Sequence, residues 1–423
     1  MPIFHPRHPH QLGLLALCAL AACAAQAQTL PQTPPQTPPQ ALGLVDAADE
    51  PQTLELRVGQ RFEYDSNVFR LSDSADTAAL LGTSSRSDVY GVTTLGMKFD
   101  KRYSLQRLEL DIYAQNYRYR DFSALDFTSL NYAAAWRWSL TPRLHGNLTA
   151  DRREMLDNTV DFYSATEVNR RVEQAAVLDA EYEMGAALRL LGGVYERRLD
   201  NSLAQTYEAD VTARGGEVGL RHVWASGTSV AYKFKSGTGD YSGRLPTPEA
   251  PNNFSDREHE LSLDLSPVPG TSVQARLAHL KRSHDGFAMR DFSGYRGQLS
   301  ASWPLTGKTR LDAGVVRELG SYQTTTASYY EGERLYISPV WKPTEKTAVR
   351  LRLDQGVRRY KGELAGFAPI SRRDTSTLTS LSLEWEVIRP LKLGVTVQQD
   401  KRTSNAGFDY KANMFGVSAV FSF

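Results

Sequence analysis

The sequence predicts an all-β protein, a transmembrane antiparallel β-barrel of about 18 strands (16–18). Three observations carry that expectation. Apolar and polar residues alternate with a period of two along segment after segment, the mark of a strand with one apolar face. Short turns and longer polar loops alternate between those segments. All six tryptophans fall shortly before a short turn, and none falls in a long loop.

Taken in order, the chain opens on a polar stretch over residues 1–11 with Arg7 and three histidines. An apolar run over residues 12–25 follows, of the length of a signal-peptide core. Ala25-Gln26-Ala27 reads as a cleavage site, which makes residues 1–27 a signal peptide. Leu20-Ala21-Ala22-Cys23 is the competing site, with Cys23 as a lipidated first residue. Residues 28–53 repeat Pro, Gln and Thr, a composition that stays extended and builds no core. They read as a periplasmic linker, with a Pro-rich docking peptide as the alternative. The barrel occupies residues 54–423.

In the first strand Leu54, Leu56, Val58, Phe62 and Tyr64 alternate with Glu55, Arg57, Gly59, Arg61 and Glu63. Val89–Phe99 reads as the second strand, closed by a tight turn at Asp100-Lys101-Arg102. The third sets Leu108, Leu110, Ile112 and Ala114 against Arg107, Glu109, Asp111 and Tyr113. The fourth carries Trp136 and Trp138 before a turn at Thr141-Pro142. Later short turns stand at Met184-Gly185, Ala225–Gly227, Pro267–Gly270, Pro304–Gly307, Lys342–Thr344 and Arg389-Pro390, all strong turn chemistries. The rhythm counts nine long loops and eight short turns. The tryptophans Trp136, Trp138, Trp224, Trp303, Trp341 and Trp385 then form one aromatic girdle at the short-turn, periplasmic interface.

The last nine residues alternate to the final position, with Phe415, Val417, Ala419, Phe421 and Phe423 on one face. This ending resembles the closing strand of bacterial outer-membrane β-barrels. The resemblance implies that Phe421 and Phe423 belong to a signal read by the barrel-assembly machinery. Residues 410–423 are expected to pair with residues 54–64. A soluble propeller or β-helix competes, but no blade-length repeat is visible.

Composition narrows the class. The chain is 41% hydrophobic, and past residue 30 no apolar run nears the roughly 20 residues of a membrane helix, which excludes a polytopic helical protein. Lys and Arg total 49 against 48 Asp and Glu, so no nucleic acid is expected as a partner. Cys18 and Cys23 are the two cysteines, so the barrel region has no disulfide or thiolate chemistry.

If the apolar face meets lipid, the other face lines the lumen. The candidate lining is Arg107, Glu109, Asp111, Asp179, Glu181, Glu260, Asp264, Arg350, Arg352, Asp354 and Glu384, of both signs. Such residues solvate an interior and pair with neighbours, or let a hydrated polymer slide. Tyr113, Tyr117, Tyr119, Tyr295, Tyr329, Tyr330 and Tyr360 are read mainly as interfacial. No catalytic or metal motif stands out. His279 and His284 lie five apart, unlike an i, i+4 metal pair, and acidic pairs are expected on a lumen face in any case. No enzyme and no cofactor are expected.

The run Tyr64-Asp65-Ser66-Asn67-Val68-Phe69-Arg70 resembles the start of EpsL-like, exosortase-associated outer-membrane β-barrels of exopolysaccharide-synthesis systems. The resemblance implies exopolysaccharide export across a Gram-negative outer membrane, with polysaccharide and periplasmic export components as partners. Locally, Asp65-Ser66-Asn67 is also plain turn chemistry. A general diffusion porin is the alternative function, and an outer-membrane hydrolase or a structural scaffold follows.

Overall fold

The computed structural model describes residues 54–157, 169–203, 210–242, 251–324, 326–363 and 371–423. The signal peptide over 1–27 and the linker over 28–53 lie outside the described residues.

Among the described residues the chain forms one antiparallel sheet of 18 strands. The strands are β1 (Leu54–Asp65), β2 (Asp88–Tyr103), β3 (Gln106–Tyr119), β4 (Phe127–Thr141), β5 (Leu144–Asp157), β6 (Asn169–Glu183), β7 (Leu188–Asn201), β8 (Asp210–Val223) and β9 (Ser229–Ser242). They continue as β10 (Asn253–Leu265), β11 (Ser272–Ser283), β12 (Phe292–Thr306), β13 (Thr309–Ser321), β14 (Tyr329–Thr344), β15 (Thr347–Lys361), β16 (Arg373–Ile388), β17 (Leu391–Ser404) and β18 (Tyr410–Ser422). Each strand pairs with the next, and β1 also pairs with β18, so the sheet closes on itself and has no edge. At the seam Arg57 pairs with Ser422, Phe62 with Val417 and Asp65 with Met414.

Strand alternation sets the burial. Leu56, Val58, Phe62 and Tyr64 are exposed, whereas Arg57, Arg61 and Glu63 between them are partly or fully buried. Greasy side chains outside and charged ones inside invert the pattern of a water-soluble domain. A closed barrel in lipid requires that inversion, and closure satisfies every backbone group that lipid could not.

Connections alternate, long at one end and short at the other. One turn differs from expectation. Asp100-Lys101-Arg102 continue β2, and the reversal falls at Ser104-Leu105, where Ser104 takes a φ of 53°. The charges belong to the ladder. Asp100 stands opposite Glu109 and Arg102 opposite Arg107, and Arg107 donates to both Asp100 oxygens at 2.9 and 2.5 Å.

The small apolar clusters lie toward the long loops. Leu199, Val211, Tyr241 and Phe254 form one, and Ala327, Tyr330 and Tyr360 another. Phe254 lies across Gly239 on the neighbouring strand, and a Cβ there would collide with its ring.

Candidate functional site

The inner wall is the candidate site. Every second residue of each strand faces it, so each charged side chain there is positioned by two flanking ladders. The charges marked in the sequence fall into four patches.

On β1–β4, Arg107 reaches Asp100 and Glu109, and Arg137 donates to both oxygens of Glu109 at 2.9 and 3.0 Å. Asp111 accepts from Arg57, two strands away. The arm crosses β2 at Gly96, where a Cβ would lie 3.5 Å from Arg57 Nε and 3.2 Å from Tyr113 Cβ. On β5–β8, Asp179 accepts from the Asn147 backbone N–H at 3.1 Å and its amide at 3.0 Å. Glu181 takes Arg189 at 3.2 Å and Arg221 from two strands away.

On β9–β12, Lys235 lies 2.8 Å from Glu260 and 3.6 Å from both Glu217 and Glu258. Arg276 pairs with Glu260, and Arg296 reaches Glu258 across β11. Asp264 accepts from Ser229 Oγ at 3.2 Å. On β13–β16, Arg352 and Arg334 share Asp354 at 3.1 and 3.9 Å. Arg358 reaches Glu318 across β14 at 3.4 Å. Arg350 and Glu384 stand on the same inner face of β15 and β16, with Arg350 opposite Ser382 and Ala348 opposite Glu384.

The eleven residues marked in the sequence share the strand face that carries these ion pairs, spread over four patches rather than one centre. Sequence reading set Arg57 on the polar face of the first strand but missed other cations that complete them, Lys235, Arg276 and Arg296 among them. The same signal marked them: Lys233 and Lys235 alternate with Tyr232 and Phe234. Among the described residues no group of three His, Cys, Asp or Glu is placed to hold a metal ion.

The tyrosines need correction. Tyr295 is exposed on the outer face, but Tyr113, Tyr117, Tyr119, Tyr330 and Tyr360 share the inner face with the charges. Tyr90 stacks on Tyr119 with centroids 4.6 Å apart, and Tyr117 on Phe127 at 4.3 Å. Their pairing partners face inward, so alternation carries these rings inward too, whatever their distance from the strand end.

A belt of contacts links the loops and strand ends at the long-loop end. Gln323, between β13 and β14, donates to Tyr241 Oη on β9 at 3.1 Å and lies 3.1 Å from His284 Nε2. Arg290 donates to the carbonyls of Thr324 at 2.7 Å and Ala327 at 3.0 Å. Arg372 donates to Tyr322 Oη at 3.1 Å and stacks 4.0 Å from Phe408. His284 sits wholly inside this belt, and burial, with Arg282 beside it, pushes its imidazole down to about 4.

The outer face carries the tryptophans. Trp136, Trp224, Trp303, Trp341 and Trp385 are exposed and Trp138 is half-buried, all at the short-turn end. Trp136 Nε1 donates to Gln106 at 2.9 Å. Phe421 and Phe423 point outward at the same end with ring centroids 5.7 Å apart.

The run at Tyr64–Arg70 is a clasp. Asn67 donates to the carbonyls of Leu71 at 2.7 Å and Lys411 at 3.0 Å, and accepts from the Leu71 N–H at 2.9 Å. Ser66 N–H donates to the Asn413 carbonyl at 3.0 Å, and Asn413 N–H to Ser66 Oγ at 2.8 Å. The motif therefore sews the first long loop onto β18.

No protein-family model matches the chain, and no curated protein matches it. Solved structures similar to it are outer-membrane barrels. Pseudomonas aeruginosa OccK9 (OpdG) is 14% identical with a TM-score of 0.48, over 88% of this chain and 98% of that one. Pseudomonas aeruginosa OpdK with vanillate is 12% identical with a TM-score of 0.47, over 88% and 99%. A BenF-like porin from Pseudomonas fluorescens Pf-5 is 12% identical with a TM-score of 0.46, over 88% and 99%.

Proposed function

We propose that this chain is a porin-type pore of a Gram-negative outer membrane, passing small hydrophilic solutes by diffusion. One observation carries the reading: the closed 18-strand barrel is apolar outside and charged inside, and its long charged arms lie along the wall. Arg57, Arg221, Arg296 and Arg358 each pair with an acid two strands away, so they run around the circumference instead of across the lumen. Barrels of 16–18 strands leave an aqueous channel when side chains do not fill it.

The eleven sequence-marked charges then line the channel, and the mixed signs make it weakly selective. Residues 1–27 direct export, residues 28–53 form a periplasmic tether, and the six tryptophans sit at the inner interface. Phe421 and Phe423 present the end that the assembly machinery reads. The geometry favours no chemistry on solutes.

Exopolysaccharide export rests on the Tyr64–Arg70 resemblance alone. The clasp gives those residues a closing role that a pore of any cargo would use, so general diffusion is the stronger reading. Purified protein in planar bilayers tests it. Steps of ohmic conductance are expected, with oligosaccharide leaving them unblocked. Absence of conductance would overturn the pore, and sugar-dependent block would move the assignment to polysaccharide.

A further inference from the structure

The outer face changes character along the strands. On β10 and β11, Leu261 stands opposite Leu277, then His259 opposite His279, then Arg257 opposite Lys281 toward the long loops. On β17 and β18, Val397 stands opposite Phe415, then Gln399 opposite Asn413, then Lys401 opposite Lys411. Both pairs of strands therefore pass from apolar to polar to cationic over four residues, about 13 Å of strand. The middle tier is internally satisfied. Tyr232 Oη and His259 Nδ1 are 2.7 Å apart, and Gln399 Nε2 donates to Asn413 Oδ1 at 2.8 Å.

The cationic tier is not satisfied. Like charges directly opposite each other across a ladder destabilise it. Arg257, Lys281, Lys401 and Lys411 are all exposed, and among the described residues none has an acidic partner. Elsewhere on the same outer face the chain does supply acids: Arg152 meets Glu154 at 3.0 Å, Arg198 meets Asp200 at 2.8 Å, and Arg214 meets Glu196 at 2.7 Å. The short-turn end offers tryptophans in place of cation pairs.

We infer that these two cation pairs bind phosphorylated, anionic lipid headgroups of the leaflet at the long-loop end. The inference rests on the barrel spanning a membrane with that end outward. The apolar tier then meets acyl chains, the middle polar tier the interface, and each cation pair a phosphate, whose charge removes the repulsion between the two side chains. A lipid fits better than a free anion because the pairs lie one step beyond the apolar band and face away from the lumen.

The test uses the full-length protein in nanodiscs of zwitterionic phospholipid, titrated with purified lipopolysaccharide. Dephosphorylated lipopolysaccharide and inorganic phosphate are the parallel probes. Binding is expected for the phosphorylated glycolipid and to weaken with salt. Each cation near an anionic surface contributes about five-fold, so Arg257→Gln with Lys281→Gln should weaken its own site roughly thirty-fold and halve the tight-binding stoichiometry, as should Lys401→Gln with Lys411→Gln, and the variant with all four substitutions should weaken binding roughly thirty-fold at both sites. Arg257→Lys should retain binding, and Arg198→Gln with Asp200→Asn should leave it unchanged. Unweakened binding in the variant with all four glutamine substitutions, equal binding of the dephosphorylated lipid, or equal affinity for inorganic phosphate would overturn the inference. The glutamine variants remove a repulsion, so they should fold. Conductance of the same protein preparations in planar bilayers separates the two readings, since a silent pore that still binds the lipid refutes the pore alone.

Discussion

Arg70 donates to Asp65 at 2.7 Å, with both side chains only 4% exposed, and so ties the first long loop to the end of the first strand. Arg70 also lies 3.9 Å from Asp400 on β17 and donates to the Asn67 carbonyl. Burial alone would lower the guanidinium, but Asp65 and Asp400 more than reverse that and hold it charged. Arg70 sits at a φ of 56°, a left-handed backbone that a non-glycine residue keeps only when its surroundings enforce it. The three carboxylate and carbonyl partners are that enforcement.

Arg70→Ala should therefore destabilise the seam. It leaves buried carboxylates uncompensated, which costs about 3–5 kcal/mol. The temperature at which the folded form converts to the unfolded one on unheated gels checks this. Arg70→Lys keeps the charge but loses the planar fork that sets Nη1 on Asp65 and the Asn67 carbonyl with Nε toward Asp400, and should fall between. A wild-type transition in Arg70→Ala would refute the clasp.

The strands were legible in the sequence because lipid and water impose opposite demands on alternate residues, and the alternation survives in nearly every strand. Even the closing pair was legible, since β18 and β1 each carry an apolar face up to their ends. The tertiary contacts of the loops were not. Asn67 meets Lys411, and Gln323 meets Tyr241, across long sequence separations that no local pattern encodes. Asp100, Lys101 and Arg102 misled for a related reason. Charged residues read as a turn, yet the β2–β3 ladder extends to Tyr103 opposite Gln106. On the wall, alternation marks which residues face inward but not which strand supplies the partner. Hence Asp111 was visible and its bond to Arg57 was not.

Selectivity should respond to the acids of the third patch. Glu258 and Glu260 offset two of the three positive charges on Lys235, Arg276 and Arg296. Glu258→Gln with Glu260→Gln leaves those cations in excess and should shift the reversal potential in a salt gradient toward anions. The shift should shrink as ionic strength rises, because charges facing an aqueous channel are screened within about 10 Å at 0.1 M. An unchanged reversal potential would separate these residues from the conduction path.

The belt at the long-loop end should loosen in acid. His284 is held neutral, with its ring between Asp291 at 3.5 Å, Gln323 at 3.1 Å and the stacked Tyr241, and with Arg282 nearby bound to Asp256 at 2.8 and 2.7 Å. Its ordinary value near 6.5 is lowered to about 4. The opened state therefore takes up the proton more readily than the closed one. Stability is fullest above pH 6.5 and is lost progressively as pH falls toward 4. Hydrogen exchange of residues 284–291 and of 326–328 should accelerate through that window, and His284→Gln should flatten the dependence. Acceleration that persists unchanged in the variant would assign the effect elsewhere.

The terminal residue contributes two separable things. Phe423 N–H donates to the Leu56 carbonyl at 3.0 Å, and its own carbonyl accepts from Leu56 N–H at 2.8 Å, so it supplies the last rung of the seam. Its ring, 61% exposed, lies outward beside Phe421 and adds nothing to the inner wall. Deleting Phe423 removes the rung and the ring together, whereas Phe423→Leu removes only the ring. If the aromatic end is a recognition signal, both changes should slow assembly into membranes by the barrel-assembly machinery to a similar degree. If the rung alone matters, only the deletion should slow it. Spontaneous refolding into synthetic bilayers supplies the contrast: the deletion should lower stability there by about the 1–3 kcal/mol of a broken hydrogen-bonded pair, and Phe423→Leu should not. A defect of Phe423→Leu confined to machinery-dependent assembly would place the ring in recognition, and equal defects in both assays would place it in packing.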